Sequence, residues 1–183
     1  MTRGHQERLA PLVAQVMGEA GIAFDQLDRV GVTVGPGSFT GLRVGLAFAK
    51  GLGAALSIPV VGVGVLEALA EPLGGSVLAV LDAKRDQVYL QAFADGVAVS
   101  APDALPLGTA AARLAELAGP VTLVGSGAHL LADLMPGATV VAADHADPVA
   151  VARLAAARSP VRPRPLYLRA PDAKLPGGRD LPA

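Results

Sequence analysis

The residues with the clearest chemical potential form a glycine-rich turn over 35–41, between a β-branched segment and a helical one. Such a turn places backbone N–H groups at a helix N-terminus, where they can bind an anion, and Ser38 or Thr40 could cap the helix. The turn is not a P-loop, because no Gly-Lys-Ser or Gly-Lys-Thr follows it, and it lacks the third glycine of the dinucleotide fingerprint. Two interpretations stay open: a phosphate site, or a tight turn that needs close packing.

The chain has few residues that could bind a metal or act as a thiol nucleophile. The chain has no cysteine, which excludes disulfides, cysteine-ligated zinc and a cysteine nucleophile. Its three histidines, His5, His129 and His145, are widely spaced, and we interpret each as a surface or capping residue. We interpret the charged run over 82–86 as a solvated hairpin turn, with a site for an acidic or phosphate-bearing partner as the alternative.

The composition limits the class of protein. With 15 basic and 16 acidic residues the formal net charge is −1, so the chain has no field that would bind nucleic acid by itself. No apolar run reaches the roughly 18–20 residues of a membrane span. The polar first residues lead into no signal-peptide core. Since cysteines and targeting signals are both absent, we expect a cytoplasmic protein.

Strand-like and helical patterns alternate along the chain, which predicts an α/β fold with parallel strands and crossover helices. Helices are predicted over 5–20, 41–56, 65–72, 108–118, 126–134 and 148–157. Strands are predicted over 29–34, 58–63, 77–81, 87–93, 121–124 and 138–142, with 77–81 and 87–93 forming a hairpin with a polar loop. Gly74-Gly75 marks the expected boundary between two lobes, and prolines exclude regular helix after residue 159.

The helix over 41–56 is apolar nearly all round, which is typical of a helix buried on both sides. One face is lined by Leu42, Leu46, Ala49, Gly53 and Leu56, and another by Val44, Phe48, Gly51 and Ala55. Four glycines, each costing roughly 1 kcal/mol relative to alanine, favour close approach of another backbone. One face can pack on the chain's own sheet and the other on a partner chain. Alternatively, the helix over 5–20 covers the second face.

Several segments together resemble one family. They are Gly35-Pro36-Gly37-Ser38-Phe39-Thr40-Gly41-Leu42-Arg43-Val44-Gly45-Leu46, Ala49-Lys50-Gly51-Leu52, Ile58-Pro59-Val60-Val61-Gly62-Val63, His5-Gln6-Glu7-Arg8-Leu9, Asp82-Ala83-Lys84-Arg85-Asp86-Gln87-Val88-Tyr89 and Pro165-Leu166-Tyr167-Leu168-Arg169. They resemble the bacterial TsaB (YeaZ) family over about residues 3–174.

The resemblance implies a two-lobe actin-like ATPase fold, also called ribonuclease H-like. It implies a non-catalytic partner of TsaD, the subunit that makes N6-threonylcarbamoyladenosine (t6A) at position 37 of tRNA, in a complex that TsaE joins. This chain and TsaD would form a heterodimer through helices of the first lobe, with a homodimer of this chain possible when TsaD is absent. Any tRNA contact is expected through the complex. The arginines Arg158, Arg162, Arg164 and Arg169 could supply it or be simply solvated.

The expected partner interface combines the two N-terminal helices. It comprises Leu9, Leu12, Val13, Val16, Leu42, Gly45, Leu46, Ala49 and Gly53. The expected motif loop comprises Gly35, Pro36, Gly37, Ser38, Thr40, Gly41 and Arg43. We expect no catalytic and no metal-binding residue.

TsaD-type chains carry a His-x-x-x-His pair just after the strand that matches 58–63. The resemblance places Val65 and Leu69 at those positions, and neither side chain can bind a metal. Glu67, between them, is a lone carboxylate that we expect on the helix surface. We expect no cofactor in this chain, with ATP and metal on partner subunits. The alternative is a stand-alone metallopeptidase or ATPase of the actin-like superfamily.

The resemblance also exposes a difference at the N-terminus. The family begins with a strand and a hairpin that precede the first helix, whereas this chain begins at that helix. We therefore expect a first lobe over 1–73 without its first strands, a second lobe over 76–169 and a tail over 170–183. A truncated form or a misassigned start codon would explain the difference, and an ATP site in this chain is not expected.

Overall fold

The computed structural model describes residues 5–110 and 119–169, which form two sheets with helices packed on them. The first sheet pairs β1 (Val30–Gly35) with β2 (Val60–Gly64) in parallel, and α2 (Phe39–Leu56) connects them. The β-branched residues of both strands favour extended backbone. The predicted strand, crossover helix and parallel strand are therefore confirmed.

An amphipathic helix, α1 (His5–Ala20), and a short 3-10 helix over Phe24–Gln26 precede the first sheet. Helix α1 ends where Gly21, at φ +65°, donates its N–H to Gly18 O, while Ile22 N–H reaches back to Met17 O. This is the Schellman arrangement that glycine favours at a helix end. The apolar stripe of α1 is only partly covered, because Leu12 and Val16 are each 53% exposed.

The second sheet is mixed and is built around a long hairpin. Strands β3 (Ser76–Lys84) and β4 (Gln87–Ala94) pair antiparallel, and β7 (Val121–Val124) and β8 (Thr139–Val141) continue the sheet in parallel from β3. Two short strands on the other side of β4, β5 (Val97–Ala98) and β6 (Asp103–Pro106), were not predicted from the sequence. The predicted polar loop is tighter than expected, since Lys84 still pairs with Gln87 and two residues remain for the turn.

The remaining helices cover the sheets, and two of them bridge the halves of the chain. Helices α4 (Leu107–Ala110) and α5 (Ala128–Ala132) pack on the second sheet, whereas α3 (Val65–Ala70) contacts both sheets. Helix α6 (Pro148–Ala157) returns to the first sheet, where Ala150 and Ala155 pack with Val61 and Val63. The division into lobes at Gly74-Gly75 stays a prediction.

The end of α6 is held by charged side chains from the first half of the chain. Arg29 Nη1 donates to the carbonyls of Ala155 and Ala156, both at 3.0 Å, and of Arg158 at 3.1 Å. Arg158 in turn donates to Gly62 O and forms an ion pair with Glu67 on α3. A cation at the carbonyl end of a helix is favourable for the helix dipole, so these contacts fix α6 on the first sheet.

Parts of the sequence prediction fall outside the described residues. These parts are residues 1–4, positions 111–118 of the predicted helix over 108–118, and the tail over 170–183. The predicted helix over 148–157 and the strand over 121–124 are confirmed with the same bounds. In the part of the chain that is described, no helix has the length and apolar character needed to cross a membrane.

Two glycines two residues apart on α2 should respond oppositely to substitution by alanine. A Cβ at Gly53 would lie 2.4 Å from Val60 Cγ2 and 3.0 Å from Ile58 O, whereas a Cβ at Gly51 would meet nothing within 4 Å. We expect Gly53→Ala to lower the free energy of unfolding by about 1–3 kcal/mol through overpacking. We expect Gly51→Ala to raise it by about 0.5–1 kcal/mol through helix propensity. Urea unfolding followed by circular dichroism measures both, and equal effects of the two substitutions would contradict this packing.

Candidate functional site at the glycine-rich loop

The glycine-rich loop that follows β1 is closely packed. Gly35 has φ +113°, and a Cβ there would lie 2.8 Å from Leu166 O and 3.1 Å from Leu42 Cδ1. Pro36 follows through a cis peptide bond and is buried. The tight-turn interpretation is therefore confirmed at Gly35, while an anion site at this loop stays a prediction.

The loop ends by capping α2. Ser38 is the N-cap, and its Oγ accepts a hydrogen bond from Gly41 N–H at 3.4 Å. The Ser38 carbonyl accepts from Leu42 N–H at 2.9 Å. Thr40, the other candidate cap, lies inside the first turn of the helix. These bonds fix where α2 begins and therefore how its side chains are rotated.

A non-helical segment over 158–169, here called the strap, holds the loop from the other side. Leu166 N–H donates to Val34 O at 2.7 Å, which ties the strap to the end of β1. Further along, Arg169 Nη1 donates to Ala83 O at 3.0 Å and so ties the strap to the β3–β4 hairpin. The strap therefore connects the loop of the first sheet to the hairpin of the second.

A cleft of about 960 Å³ lies between the loop, the hairpin and the strap. It is lined by Pro36, Gly37, Ser38, Phe39, Leu81, Asp82, Ala83, Lys84, Tyr89, Ser126, His129, Asp144, Leu166, Tyr167, Leu168 and Arg169. It thus lies near the carboxyl ends of parallel strands in both sheets, the usual ligand position in α/β proteins. Among the described residues, no group of three or more histidines, cysteines or carboxylates could hold a metal ion.

The charged groups of the hairpin turn bind one another. Lys84 Nζ donates to one oxygen of Asp82, and Lys84 N–H donates to the other at 2.7 Å. The ammonium hydrogen bond is the main reason that the pKa of Asp82 lies below its ordinary value, with the backbone bond as the second cause. The Lys84 side chain is 79% exposed, in keeping with the solvated-turn interpretation.

Three side chains form an exposed cluster at the start of α2 and the mouth of the cleft. The Arg43 guanidinium lies 3.7 Å from the Phe39 ring centroid, and its Nε donates to the Tyr167 hydroxyl at 3.2 Å. The Phe39 and Tyr167 ring centroids are 5.1 Å apart. No local sequence pattern predicts this cluster, because Tyr167 lies 124 residues from Arg43.

The prediction that one face of α2 packs on the chain's own sheet is confirmed, but the face chosen for the partner interface needs correction. Four of the chosen residues, Leu42, Leu46, Ala49 and Gly53, are buried within this chain. Gly53 packs against Val60 of β2, so this inner face belongs to the protein's own core. Because a residue already covered by its own sheet offers no surface to a partner, these four are removed from the predicted interface.

The opposite side of α2 is less covered by the described residues, with Val44 and Phe48 only half-buried there. We define the outer face as Thr40, Val44, Ala47, Phe48, Gly51, Ala54 and Ala55, which a 100° rotation per residue places on one side. Ala47, Gly51, Ala54 and Ala55 are exposed, and none of the seven is charged. The interface residues left from the prediction are Gly45, which is half-buried, and the α1 residues Leu9, Leu12, Val13 and Val16.

Val65 and Leu69, at the positions that hold histidines in TsaD-type chains, pack in or against the hydrophobic core. Leu69 is 4% exposed and packs in the core of the second sheet, and Val65 lies at the edge of the same cluster. Glu67 forms an ion pair with Arg158 of the strap, rather than lying unpaired on the helix surface as expected. Helix α3 therefore joins the two halves of the chain through both its apolar and its charged side chains.

The alternation of strands and crossover helices, with a cleft between two sheets, defines an α/β protein. An actin-like, ribonuclease H-like fold is consistent with the family match that follows. A family model described as "TsaD: tRNA N6-adenosine threonylcarbamoyltransferase" matches residues 1–129. The chain belongs to this TsaD-type family and, within it, to the TsaB (YeaZ) group.

Individual relatives agree with this assignment. An uncharacterized protein of Mycobacterium leprae is 39% identical over 177 residues, which is 94% of this chain and 46% of the relative. The TsaB protein of Haemophilus influenzae, named for tRNA threonylcarbamoyladenosine biosynthesis, is 34% identical over 92 residues, 48% of this chain and 39% of the relative. The chain thus spans less than half the length of either protein.

A solved structure shares the fold over most of the chain. It is a Pseudomonas aeruginosa protein described as similar to the peptidase YeaZ. It superimposes with a TM-score of 0.77 at 28% identity, covering 91% of this chain and 85% of that one.

The Asp82 carboxylate offers a test of the hairpin geometry. Since its folded pKa lies below the unfolded value, the stability contributed by the Lys84 bonds is present above about pH 4 and lost as the pH falls through the lowered pKa. We expect Lys84→Met to raise the pKa of Asp82 partway toward its ordinary value, because the backbone bond remains. Carboxyl-detected NMR titration measures this shift. Lys50→Met, which removes a cation from α2, is the control, and an unchanged Asp82 pKa in Lys84→Met would contradict the contact.

Proposed function

We propose that this chain is a non-catalytic subunit of the machinery that makes t6A in tRNA, and that it binds and activates TsaD. Its family membership supports this role, as do the names of relatives such as the H. influenzae TsaB protein. In the proposed assembly TsaE joins the pair, and this chain contacts tRNA through the complex. The proposed setting is the cytoplasm.

The observation that carries the proposal is the partly uncovered outer face of α2. A Cβ added at Gly45 or Gly51 would meet no atom within 4 Å, so packing inside the described chain does not require glycine at either place. Glycine in a helix costs about 1 kcal/mol relative to alanine, and a closely approaching second backbone would offset that cost. The exposed Leu12 and Val16 of α1 add apolar surface of the kind that partner helices bury.

The proposed non-catalytic role is supported by the chemistry of the described residues. The two helical positions that hold histidines in TsaD-type chains carry Val65 and Leu69, which pack in or against the core. In the cleft, both carboxylate oxygens of Asp82 accept hydrogen bonds from Lys84. We therefore propose that ATP and metal are bound by partner subunits and that this chain needs no cofactor of its own.

A charge on the outer face of α2 should weaken association with TsaD of the same organism. We expect Ala55→Glu to raise the dissociation constant at least tenfold, about 1.4 kcal/mol, because its carboxylate would be buried at the interface without a partner. Ala152→Glu is the matched control, since it makes the same change at an exposed position of α6. Isothermal titration calorimetry on both folded variants measures the effect. Equal affinities for the two variants would contradict the assigned face.

Activity measurements on the isolated chain separate the proposal from the alternative of a stand-alone metallopeptidase or ATPase. We expect no stoichiometric metal after purification and no ATP hydrolysis or peptide cleavage above background. Metal analysis and a coupled phosphate assay are the measurements, and t6A formation should require this chain together with TsaD. Tight stoichiometric metal, or turnover abolished by a point change in this chain, would overturn the non-catalytic assignment.

We propose that the chain can form a homodimer through the same helices when TsaD is absent. Size-exclusion chromatography with light scattering would detect it. Addition of TsaD should convert it to the heterodimer, because both assemblies would use the outer face of α2. A homodimer that persists beside an excess of TsaD would count against a shared surface.

A further inference from the structure

Arg43 is an exposed arginine that is held in place without an acidic partner. Its guanidinium lies on the Phe39 ring, and its Nε donates to the Tyr167 hydroxyl. Across residues 5–110 and 119–169, it forms no ion pair with a carboxylate. The ring and the hydroxyl occupy one face and one edge of the guanidinium, so the two terminal amino groups remain to bind a planar anion side by side.

The cluster prepares this anion site before any ligand arrives. Stacking and a hydrogen bond fix the guanidinium, so part of the rotamer entropy that an arginine loses on binding is already lost before binding. Tyr167 belongs to the strap, which is tied to β1 through Leu166 and to the hairpin through Arg169. The position of Arg43 is therefore set by both halves of the chain rather than by α2 alone.

The position of Arg43 indicates what kind of anion it would bind. It lies one helical turn before Ala47, at the border of the uncharged outer face of α2. Helix α2 contains no acidic residue, and its other charge is Lys50, two turns further on. A nucleic-acid surface needs several phosphate-binding cations together, whereas one fixed arginine beside an apolar patch is typical of a protein-protein contact.

We infer that Arg43, fixed by Phe39 and Tyr167, is the polar anchor of the partner surface and binds a carboxylate side chain of TsaD at the border of the α2 outer face. The inference rests on the proposed function, because it names the chemistry with which the same surface recognises its partner. Phe39 and Tyr167 act as positioning residues, and the guanidinium makes the contact.

Affinity measurements with intact TsaD test the anchor. Arg43→Gln should weaken binding at least tenfold and reduce its dependence on salt concentration. Arg43→Lys should recover only part of the loss, because an ammonium cannot form the paired hydrogen bonds of a guanidinium. Tyr167→Phe should weaken binding about two- to fivefold with the salt dependence kept, since it removes the positioning hydroxyl alone. Arg153→Gln, on the exposed side of α6, is the control and should bind like the parent chain.

Carbodiimide coupling tests the carboxylate directly. The Arg43→Lys variant places an amine at the anchor, and the reagent joins an amine to a carboxylate only when the two are in contact. In the complex with TsaD, mass spectrometry should find an amide bond between position 43 and an aspartate or glutamate of TsaD. Ala152→Lys places a matched amine on α6 and should give no such cross-link. Replacing the identified acid by alanine should remove most of the effect of Arg43→Gln on affinity.

The possible results distinguish a failure of the Arg43 anchor from a failure of the proposed partnership with TsaD. If Ala55→Glu weakens binding while Arg43→Gln leaves affinity and salt dependence unchanged, the anchor is refuted and the partner role stands. If the parent chain and TsaD do not associate, the proposed function itself fails. If Arg43→Gln leaves TsaD affinity unchanged but lowers the affinity of the assembled complex for tRNA, the guanidinium binds a phosphate and the inference is overturned.

Discussion

The packing of one face of α2 on the two-stranded parallel sheet determines most of the geometry described above. Gly53 allows the helix to approach β2, since any larger residue would meet Val60. With Leu42, Leu46 and Ala49 buried on that side, the rotation of the helix about its axis is fixed. The outer face and the Arg43 border are consequences of that rotation. A substitution at the inner face could therefore rotate the helix and so alter the outer face, although the substituted residue is not part of that face.

A second constraint joins the two ends of the sequence. Helix α6 and the strap return to the first sheet, where Arg29 holds the end of α6 and Leu166 bonds to the end of β1. Glu67 and Arg158 form an ion pair between α3 and the strap. Because partly exposed ion pairs contribute modestly to stability, the burial of Ala150 and Ala155 against β2 contributes more to holding these elements together. The buried start of the glycine-rich loop, Gly35 and Pro36, is thereby held between its own helix and the strap.

Much of this fold could be predicted from the sequence, and the limits of prediction have physical causes. Periodicity predicts α1, α2 and α6, because those patterns are local, and Gly21 marks the end of α1. Periodicity also shows that α2 has two apolar faces. It cannot say which face is inside, because that depends on where Gly53 meets β2 in three dimensions. The Arg43–Tyr167 contact was unpredictable for the same reason, as was the pairing of Glu67 with Arg158.

The partner role and the Arg43 anchor both depend on the outer face of α2 being the surface that receives TsaD. Hydrogen–deuterium exchange of the chain alone, and in saturating complex with TsaD of the same organism, would locate that surface. We expect added protection in peptides from α1 and α2, with β4 and α6 unchanged. Protection confined to the second sheet, or none in α2, would contradict this assignment.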